Sequence, residues 1–168
     1  MKKFVADLKR GDSAQQLLVG LFNNCGLRSE LVDPNGPNRS YWDIVTVGQD
    51  LSFTTEVKFD EYEAKSGNIA IETFNPRLGK PSGLGITKAF FWAHILVGDA
   101  VWLTPTERLR IFTKETKPCR IIVAGGDGNA KLLLYPNHTI LPAVFTRIDT
   151  MSRKELLHYL KERLNGQV

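Results

Sequence analysis

The sequence predicts a mixed α/β fold in which a mixed central sheet is flanked by helices. One observation is a hairpin pattern, since apolar-rich runs at 41–47 and 51–59 flank the turn residues Gly48, Gln49 and Asp50. Another is a helical period of apolar residues near each end of the chain. Several short strand patterns lie between these helices. The predicted order is helix, strand, strand, strand, helix, strand, helix, hairpin, helix.

Composition sets the class of protein. We expect one domain over residues 1–168, with 42% hydrophobic and 24% charged residues, which argues against global disorder. The net charge of +4 is compatible with a polyanionic partner. No stretch approaches the ~20 apolar residues of a membrane span, so we expect a soluble, cytoplasmic protein without a membrane partner. Cys25 and Cys119 are expected to be reduced thiols rather than a disulfide.

The first helix is predicted to begin at Asp12 or Ser13, with either residue as its cap, and to end at Gly26. Gln15 and Gln16 then project from its first turn. The basic residues before this helix are either a solvated N-terminus or an arm for a nucleic-acid backbone. A turn-rich loop at 33–40 leads to the hairpin.

The second hairpin strand alternates, so Glu56 and Lys58 share one face with Ser52 and Thr54. The hairpin brings Asp43 alongside them. Two acids and a lysine at the mouth of a small sheet suit metal-assisted chemistry on a phosphate, because Mg²⁺ prefers carboxylates, waters and substrate oxygens.

A third strand is predicted at 68–74. If it pairs beside the second strand, Glu72 joins the acidic cluster; otherwise Glu72 faces solvent. The loop at 75–85 lacks the order of a P-loop. It carries Arg77 and Lys80, which we expect to lie next to the site and to contact DNA.

Residues 86–95 are predicted to form a helix with Lys88 near its start, where a cation opposes the helix dipole and a phosphate contact would explain it. His94 is expected to be a core histidine, because no acidic partner or metal spacing accompanies it in the sequence.

The remaining elements follow from local patterns. We expect a buried strand at 99–104, a helix at 105–114 and a hairpin formed by 120–124 and 131–135. Residues 136–149 are expected to be irregular. A final helix is capped by Ser152, with its capping-box glutamate three residues later.

Over residues 12–103, the chain resembles the PD-(D/E)XK nuclease superfamily, which includes restriction endonucleases, Holliday junction resolvases, and phage and homing endonucleases. The likeness rests on Asp43 followed across a hairpin by Glu56-Val57-Lys58, with a helix before and a strand and a helix after. Trp42 replaces the proline that often precedes the acid. Gln15 or Gln16 stands where resolvase-type members often carry a glutamate.

The resemblance implies a restriction-endonuclease-like sheet and magnesium-dependent hydrolysis of DNA to 5′-phosphate and 3′-hydroxyl ends. Asp43, Glu56 and the Val57 carbonyl would hold Mg²⁺, for which Mn²⁺ would substitute, and Lys58 would position or help deprotonate the attacking water. Glu72 could serve a second metal or a water. The stretch containing Lys80, Ser82 and Lys88 looks like one that faces phosphate in phage relatives.

Several functions remain open at this point. The first is a site-specific enzyme of homing, restriction or phage type, which would act as a homo-oligomer, usually a dimer, to cut both strands. The second is a structure-selective Holliday junction resolvase. The third is a catalytically inert nuclease-fold subunit that binds nucleic acid. The fourth is an enzyme that cleaves RNA.

Overall fold

The computed structural model describes residues 2–38, 41–124 and 129–166, with the backbone alone for residues 2–10. The elements are, in chain order, α1 Lys2–Asn24, β1 Arg28–Leu31, β2 Ile44–Val47, β3 Ser52–Asp60, α2 Glu63–Ser66, β4 Asn68–Asn75, β5 Lys80–Pro81, a 3₁₀ turn Gly83–Gly85, β6 Phe91–Leu96, β7 Val101–Pro105, α3 Thr106–Glu115, β8 Arg120–Ala124, β9 Ala130–Pro136, α4 Asn137–Val144, β10 Thr146–Arg147 and α5 Arg153–Asn165.

The strands form two sheets, and the fold class is as predicted. A six-stranded sheet has the order β1-β2-β3-β6-β7-β10 and is mixed, because β3 and β6 run parallel while its other neighbours are antiparallel. A four-stranded antiparallel sheet has the order β5-β4-β9-β8, and the sequence did not indicate this separate sheet. Helices flank the mixed sheet.

Helix α1 covers one face of the six-stranded sheet. Its apolar residues, among them Leu18 and Phe22, form a core with Phe53 and Val57 of β3 and with Leu160 of α5. Phe22 and Phe53 pack edge-to-face with ring centroids 5.4 Å apart. The helical and strand periods read from the sequence therefore identified the correct buried faces.

The start of α1 was predicted wrongly. The helix is already continuous from Lys2, so Asp12 and Ser13 lie inside it and do not cap it. Both side chains are exposed, where a polar residue is tolerated within a helix. The side chains of the basic residues before Gly11 lie outside the described part of the chain. The predicted end holds, because Gly26 has φ of +79° and donates its N–H to Asn23 O at 2.9 Å.

The largest correction concerns residues 86–95. The predicted helix is absent, and Phe91–Leu96 is strand β6 instead, paired with β3 on one side and β7 on the other. All six of its residues are buried, and a continuous apolar run does not distinguish a buried strand from a buried helix. Lys88 therefore lies in the loop before β6, and the helix-dipole argument for it does not apply.

The third predicted strand exists but has different neighbours. β4 pairs with β5 and β9 in the four-stranded sheet rather than with β3. Its Ile69 and Ile71 pack in a second core with Tyr135 of β9 and Ile140 of α4. Strand pairing depends on contacts distant in sequence, which the local pattern does not contain.

The C-terminal half matches the prediction in part. The β8–β9 hairpin, helix α3 and the Ser152–Glu155 capping box of α5 are all present, while the hairpin turn at 125–128 lies outside the described residues. Residues 137–144 form α4, although 136–149 was expected to be irregular. Pro136 directly precedes the first turn of α4, where a proline is compatible with a helix. The short strand β1 was not predicted.

Two further expectations concern the whole chain. Within the described ranges, no helix combines the length and the apolar character that a bilayer crossing requires. Cys25 is buried, Cys119 is exposed and both are free thiols, as expected.

Candidate active site

Strand β3 presents the two central side chains of the site. Glu56 and Lys58 lie on the face of the six-stranded sheet opposite α1, because successive strand residues alternate between faces. Lys58 Nζ lies 2.7 Å from Glu56 Oε1. The Glu56 side chain is nearly buried, and that of Lys58 keeps 31% of its surface exposed. The ion pair is therefore accessible from solvent on the lysine side.

Asp43 reaches the same place from the start of β2. Its N–H donates to Thr55 O at 3.0 Å, and the Val57 N–H donates to Asp43 Oδ2 at 2.7 Å. The last residue pair in the β2–β3 register is Ile44–Thr55, and Asp43 is the residue that precedes Ile44 in the chain. Since the N–H and C=O of a strand residue point toward the same neighbour, the Val57 carbonyl faces the Asp43 side of β3. The structure thus brings together the predicted metal-binding groups.

The charges of these groups are not balanced. Burial and, after it, the Glu56 carboxylate raise the pKa of Asp43 to about 6, although the Val57 N–H and the Lys58 ammonium oppose the rise. One cation next to two partly buried carboxylates leaves the second carboxylate under-compensated. A divalent cation between them would relieve this repulsion.

Lys58 carries its proton firmly. Burial alone would lower its pKa, but the nearby carboxylates, chiefly Glu56 and Glu72, outweigh burial and raise the pKa above its ordinary value. Lys58 is therefore an ammonium at neutral pH. In this metal-free arrangement it can donate hydrogen bonds and offset negative charge.

Glu72 joins the cluster from the second sheet. Its Oε2 lies 4.0 Å from Lys58 Nζ, so Glu72 approaches the site although β4 does not pair with β3. The turn after β5 packs tightly on its backbone: a Cβ on Gly83 would lie 2.7 Å from Glu72 O, and Gly83 has φ of +50°. This glycine allows the loop to pass close to the acid.

Sequence reasoning missed Thr87, which is buried beneath the site. Its hydroxyl lies 2.7 Å from Tyr41 O and 3.3 Å from Glu56 Oε2, and it accepts the Ala89 N–H at 3.2 Å. A hydroxyl has one proton, so it serves Tyr41 O and Glu56 Oε2 alternately or in a shared bond. A single threonine in a loop carries no sequence signal that would have identified this role.

Lys88, one of the four predicted DNA contacts, lies against Tyr41. Its N–H donates to Tyr41 O at 3.0 Å, and its exposed ammonium lies 3.9 Å from the centroid of the Tyr41 ring. Arg77 and Lys80 are exposed at and after the turn between β4 and β5. Ser82 Oγ is buried and has no hydrogen-bond partner among the described residues.

The glutamines predicted as additional site residues lie elsewhere. Gln15 and Gln16 belong to α1, which packs on the face of the sheet opposite Glu56 and Lys58. Gln16 lines a cleft together with Asp99 and Asp149. The structure therefore does not bring the glutamines to the ion pair.

His94 has an acidic partner, contrary to expectation. Its Nε2 lies 3.4 Å from Asp60 Oδ2, and both residues are buried. Asp60 also accepts backbone N–H groups from the start of α2 and from β4. Burial alone would raise the pKa of Asp60, but these N–H groups and His94 outweigh it and lower the pKa. The pair fixes the junction between β3, β6 and β4.

The donor set fits magnesium. Within the described ranges, no group of three or more His, Cys, Asp and Glu side chains is spaced to hold a metal ion. What the site offers is two carboxylates, from Asp43 and Glu56, and the Val57 carbonyl. Mg²⁺ is held by one or two carboxylates and completes its shell with waters and substrate oxygens, whereas structural zinc needs four protein ligands.

Comparisons with known proteins give one likeness. No protein-family profile matches the chain, and no curated protein sequence matches it. Among solved structures, the chain is similar to a bacterial homing endonuclease, I-Ssp6803I, with a TM-score of 0.49 and 17% sequence identity over 94% of each chain.

Proposed function

We propose that this chain is a magnesium-dependent DNA endonuclease that hydrolyses phosphodiester bonds. The observation that carries the proposal is the convergence of Asp43, Glu56 and Lys58, in which Glu56 helps to raise the pKa of Asp43 to about 6. A surface ion pair needs no second buried acid beside it, whereas a site for a divalent cation does. The resemblance of these residues to the PD-(D/E)XK superfamily supports the same reaction.

Asp43, Glu56 and the Val57 carbonyl would hold the Mg²⁺ ion, and Mn²⁺ would replace it. When bound, the ion supplies positive charge that offsets the charge of the phosphate and of the leaving oxygen. The Val57 N–H holds one oxygen of Asp43, and Thr87 lies against one oxygen of Glu56, so both carboxylates are oriented from behind.

Lys58 would act as a fixed cation. Its ammonium, held by Glu56 and near Glu72, donates hydrogen bonds that orient the attacking water or a phosphate oxygen. The raised pKa of Lys58 in the metal-free protein is consistent with this role as a cation. Glu72 positions Lys58, and this role is consistent with its 4.0 Å distance from the ammonium.

The exposed cations on the loop between β4 and β6 would contact the DNA backbone. Lys88 lies on the Tyr41 ring next to Asp43, and Arg77 and Lys80 extend the positive charge along the loop. Ser82 has a buried, unpaired hydroxyl on the same loop. We expect products with 5′-phosphate and 3′-hydroxyl ends, and a site-specific enzyme that acts as a homo-oligomer to cut both strands.

The test is a cleavage assay with three kinds of DNA, namely plasmid, a four-way junction and a pool of genomic fragments. We expect cutting with Mg²⁺ or Mn²⁺ and none with EDTA, and products that a ligase rejoins without prior phosphorylation. Cutting confined to the junction would identify a resolvase instead. Salt-sensitive binding without cutting of any DNA would identify an inert binding subunit.

A further inference from the structure

The two sheets have four edges among the described residues, and three of them are protected against pairing with another chain. β5 and β10 have two residues each, and β5 consists of Lys80 and Pro81. β1 has four residues and carries Arg28 and Glu30 on it. Short strands, charges and proline are the usual means by which proteins prevent edge strands from pairing.

The fourth edge, β8, lacks these protections. It has five residues, and after Arg120 the sequence is Ile121, Ile122, Val123 and Ala124, without a charge or a proline. Ile121 is 54% exposed and Val123 is 61% exposed. A flat, apolar edge strand of this kind is a template for another strand.

The exposed Ile121 side chain continues a core-facing row of its own sheet. The register aligns Ile71 of β4 with Leu133 of β9 and with Ile121 of β8. Ile71 is fully buried and Leu133 packs against the second core, but Ile121 is mostly exposed. The apolar face of the sheet therefore extends beyond the part that the helices cover.

We propose that β8 pairs antiparallel with β8 of a second copy of this chain and joins the two four-stranded sheets across a two-fold axis. Full overlap of the five residues places Ile122 opposite its own counterpart and Ile121 opposite Val123 of the second copy. Arg120 then faces Ala124, and its own counterpart lies four positions away, about 13 Å along the strand. That distance exceeds a Debye length of about 8 Å, so the two Arg120 side chains repel each other only weakly across the interface.

The strand pair is small for a dimer interface. Five residues a side are fewer than the ~20–30 of a standard interface, so we expect a dimer that dissociates on dilution. Its functional meaning rests on the proposed endonuclease activity, because a two-fold axis would set two sites for the two DNA strands. The pairing itself follows from the edge strand and is independent of that activity.

The register gives a sharp test by cysteine cross-linking. In a Cys119→Ser background, Ile122→Cys places two thiols across the axis, where Cβ atoms of opposite residues lie about 5 Å apart. We expect a covalent dimer on oxidation or with a short bifunctional thiol reagent. Ala124→Cys is the matched control and should remain monomeric, because its two copies lie about 13 Å apart along the strand. Equal cross-linking at both positions, or none at Ile122, would overturn the proposed pairing.

Sedimentation velocity between about 1 µM and about 1 mM tests the interface without cross-linking. Wild type should shift toward dimer as the concentration rises, and Ile121→Lys with Val123→Lys should remain monomeric. Val97→Lys, at an apolar residue that is 56% exposed in a turn, should dimerise like wild type. A wild type that is monomeric throughout, or a double variant that stays dimeric, contradicts the proposal.

Other occupants of the edge have distinct outcomes. If the double variant loses DNA binding while wild type is monomeric, the strand contacts DNA and the proposal is wrong. A wild type that cleaves DNA but stays monomeric over the whole sedimentation range would overturn this interface and leave the endonuclease proposal standing. A wild type that dimerises through β8 but cleaves no DNA would support this interface and contradict the endonuclease proposal.

Discussion

Thr87 is a buried residue that orients the Glu56 carboxylate of the candidate site. Its hydroxyl lies between Glu56 Oε2 and Tyr41 O, and Arg110 donates to its main-chain carbonyl from α3. The acid and lysine on β3 were found from strand alternation, because their positions depend on local geometry. Thr87 was not found, because its position depends on how the loop before β6 folds back on the hairpin.

Replacing Thr87 tests whether it positions Glu56. Thr87→Val should lower kcat about 10- to 100-fold with little change in KM for DNA, since orienting residues behind metal ligands have effects of this size. Thr87→Ser restores the hydroxyl and should recover most of the rate. Steady-state cleavage kinetics measure both variants. A purely structural threonine would instead give equal losses in Val and Ser variants, together with a lower melting temperature.

The pKa of Asp43 predicts how stability depends on pH without metal. The folded value of about 6 lies above the ordinary 3.8, so the folded chain binds more protons between these pH values. The stability from this group is present below pH 3.8 and lost as the pH rises through about 6. Asp43→Asn removes the cost of ionising Asp43 in the folded chain and should raise the free energy of unfolding at pH 8 by on the order of 3 kcal/mol.

Urea unfolding at pH 4 and pH 8 measures this difference. Wild type and Asp43→Asn should have similar stability at pH 4 and diverge at pH 8. Mg²⁺ should stabilise wild type at pH 8 and should stabilise the variant much less. A variant that is no more stable than wild type at pH 8 would show that ionised Asp43 does not destabilise the folded chain.

At the scale of elements, the tight contact between the 3₁₀ turn and β4 positions the loop that contains Thr87 and Lys88. A Cβ on Gly83 would meet Glu72 O at 2.7 Å, whereas a Cβ on Gly67, with φ of +66°, would meet nothing within 4 Å. Both glycines have positive φ, so alanine strains the backbone at either position by about 1 kcal/mol. Gly83→Ala adds a clash with the backbone.

This pair of glycines gives a controlled prediction. Gly83→Ala should lower the melting temperature more than Gly67→Ala and should also reduce the cleavage rate, because it displaces Glu72 from Lys58. Gly67→Ala should affect stability alone. Thermal melts and cleavage rates of the two variants separate these effects. Equal losses of cleavage rate in both variants would show that the 3₁₀ turn does not position Glu72 beside Lys58.

The elements also show which part of the fold the sequence predicts. Periodic patterns gave α1, the β2–β3 hairpin and the capping box of α5, because each depends on neighbours in the chain. β6 was taken for a helix because all of its residues are buried and no alternation remains to be seen. The partners of β4 and the acid opposite His94 depend on register between distant segments, and single-sequence patterns do not encode it.

For the whole molecule, the site lies where the two sheets meet. Glu56 and Lys58 come from the six-stranded sheet, Glu72 comes from the four-stranded sheet, and the loop connecting β4 to β6 carries the exposed cations. The net charge of +4 is modest, so we expect DNA binding to depend on this loop more than on the overall charge.

The salt dependence of DNA binding tests that surface. Lys88→Gln and Lys80→Gln should each reduce the slope of log Kd against log salt concentration by about 1, the contribution of one phosphate contact. Lys154→Gln, at an exposed lysine of α5, is the matched control and should leave the slope unchanged. Binding isotherms in EDTA measure all three. A slope that falls equally with Lys154→Gln would place the DNA on a different face.

The most direct test of the site is single-turnover cleavage by wild type and Lys58→Ala in the presence of Mg²⁺. The protein is in excess of the DNA, at concentrations at which all of the DNA is bound. We expect the variant to bind DNA and to remain folded at the assay temperature, but to cleave at least about 100-fold more slowly, because it lacks the cation at the phosphate. Lys154→Ala should cleave like wild type. Cleavage by Lys58→Ala at the wild-type rate would contradict the assignment of Asp43, Glu56 and Lys58 as the active site.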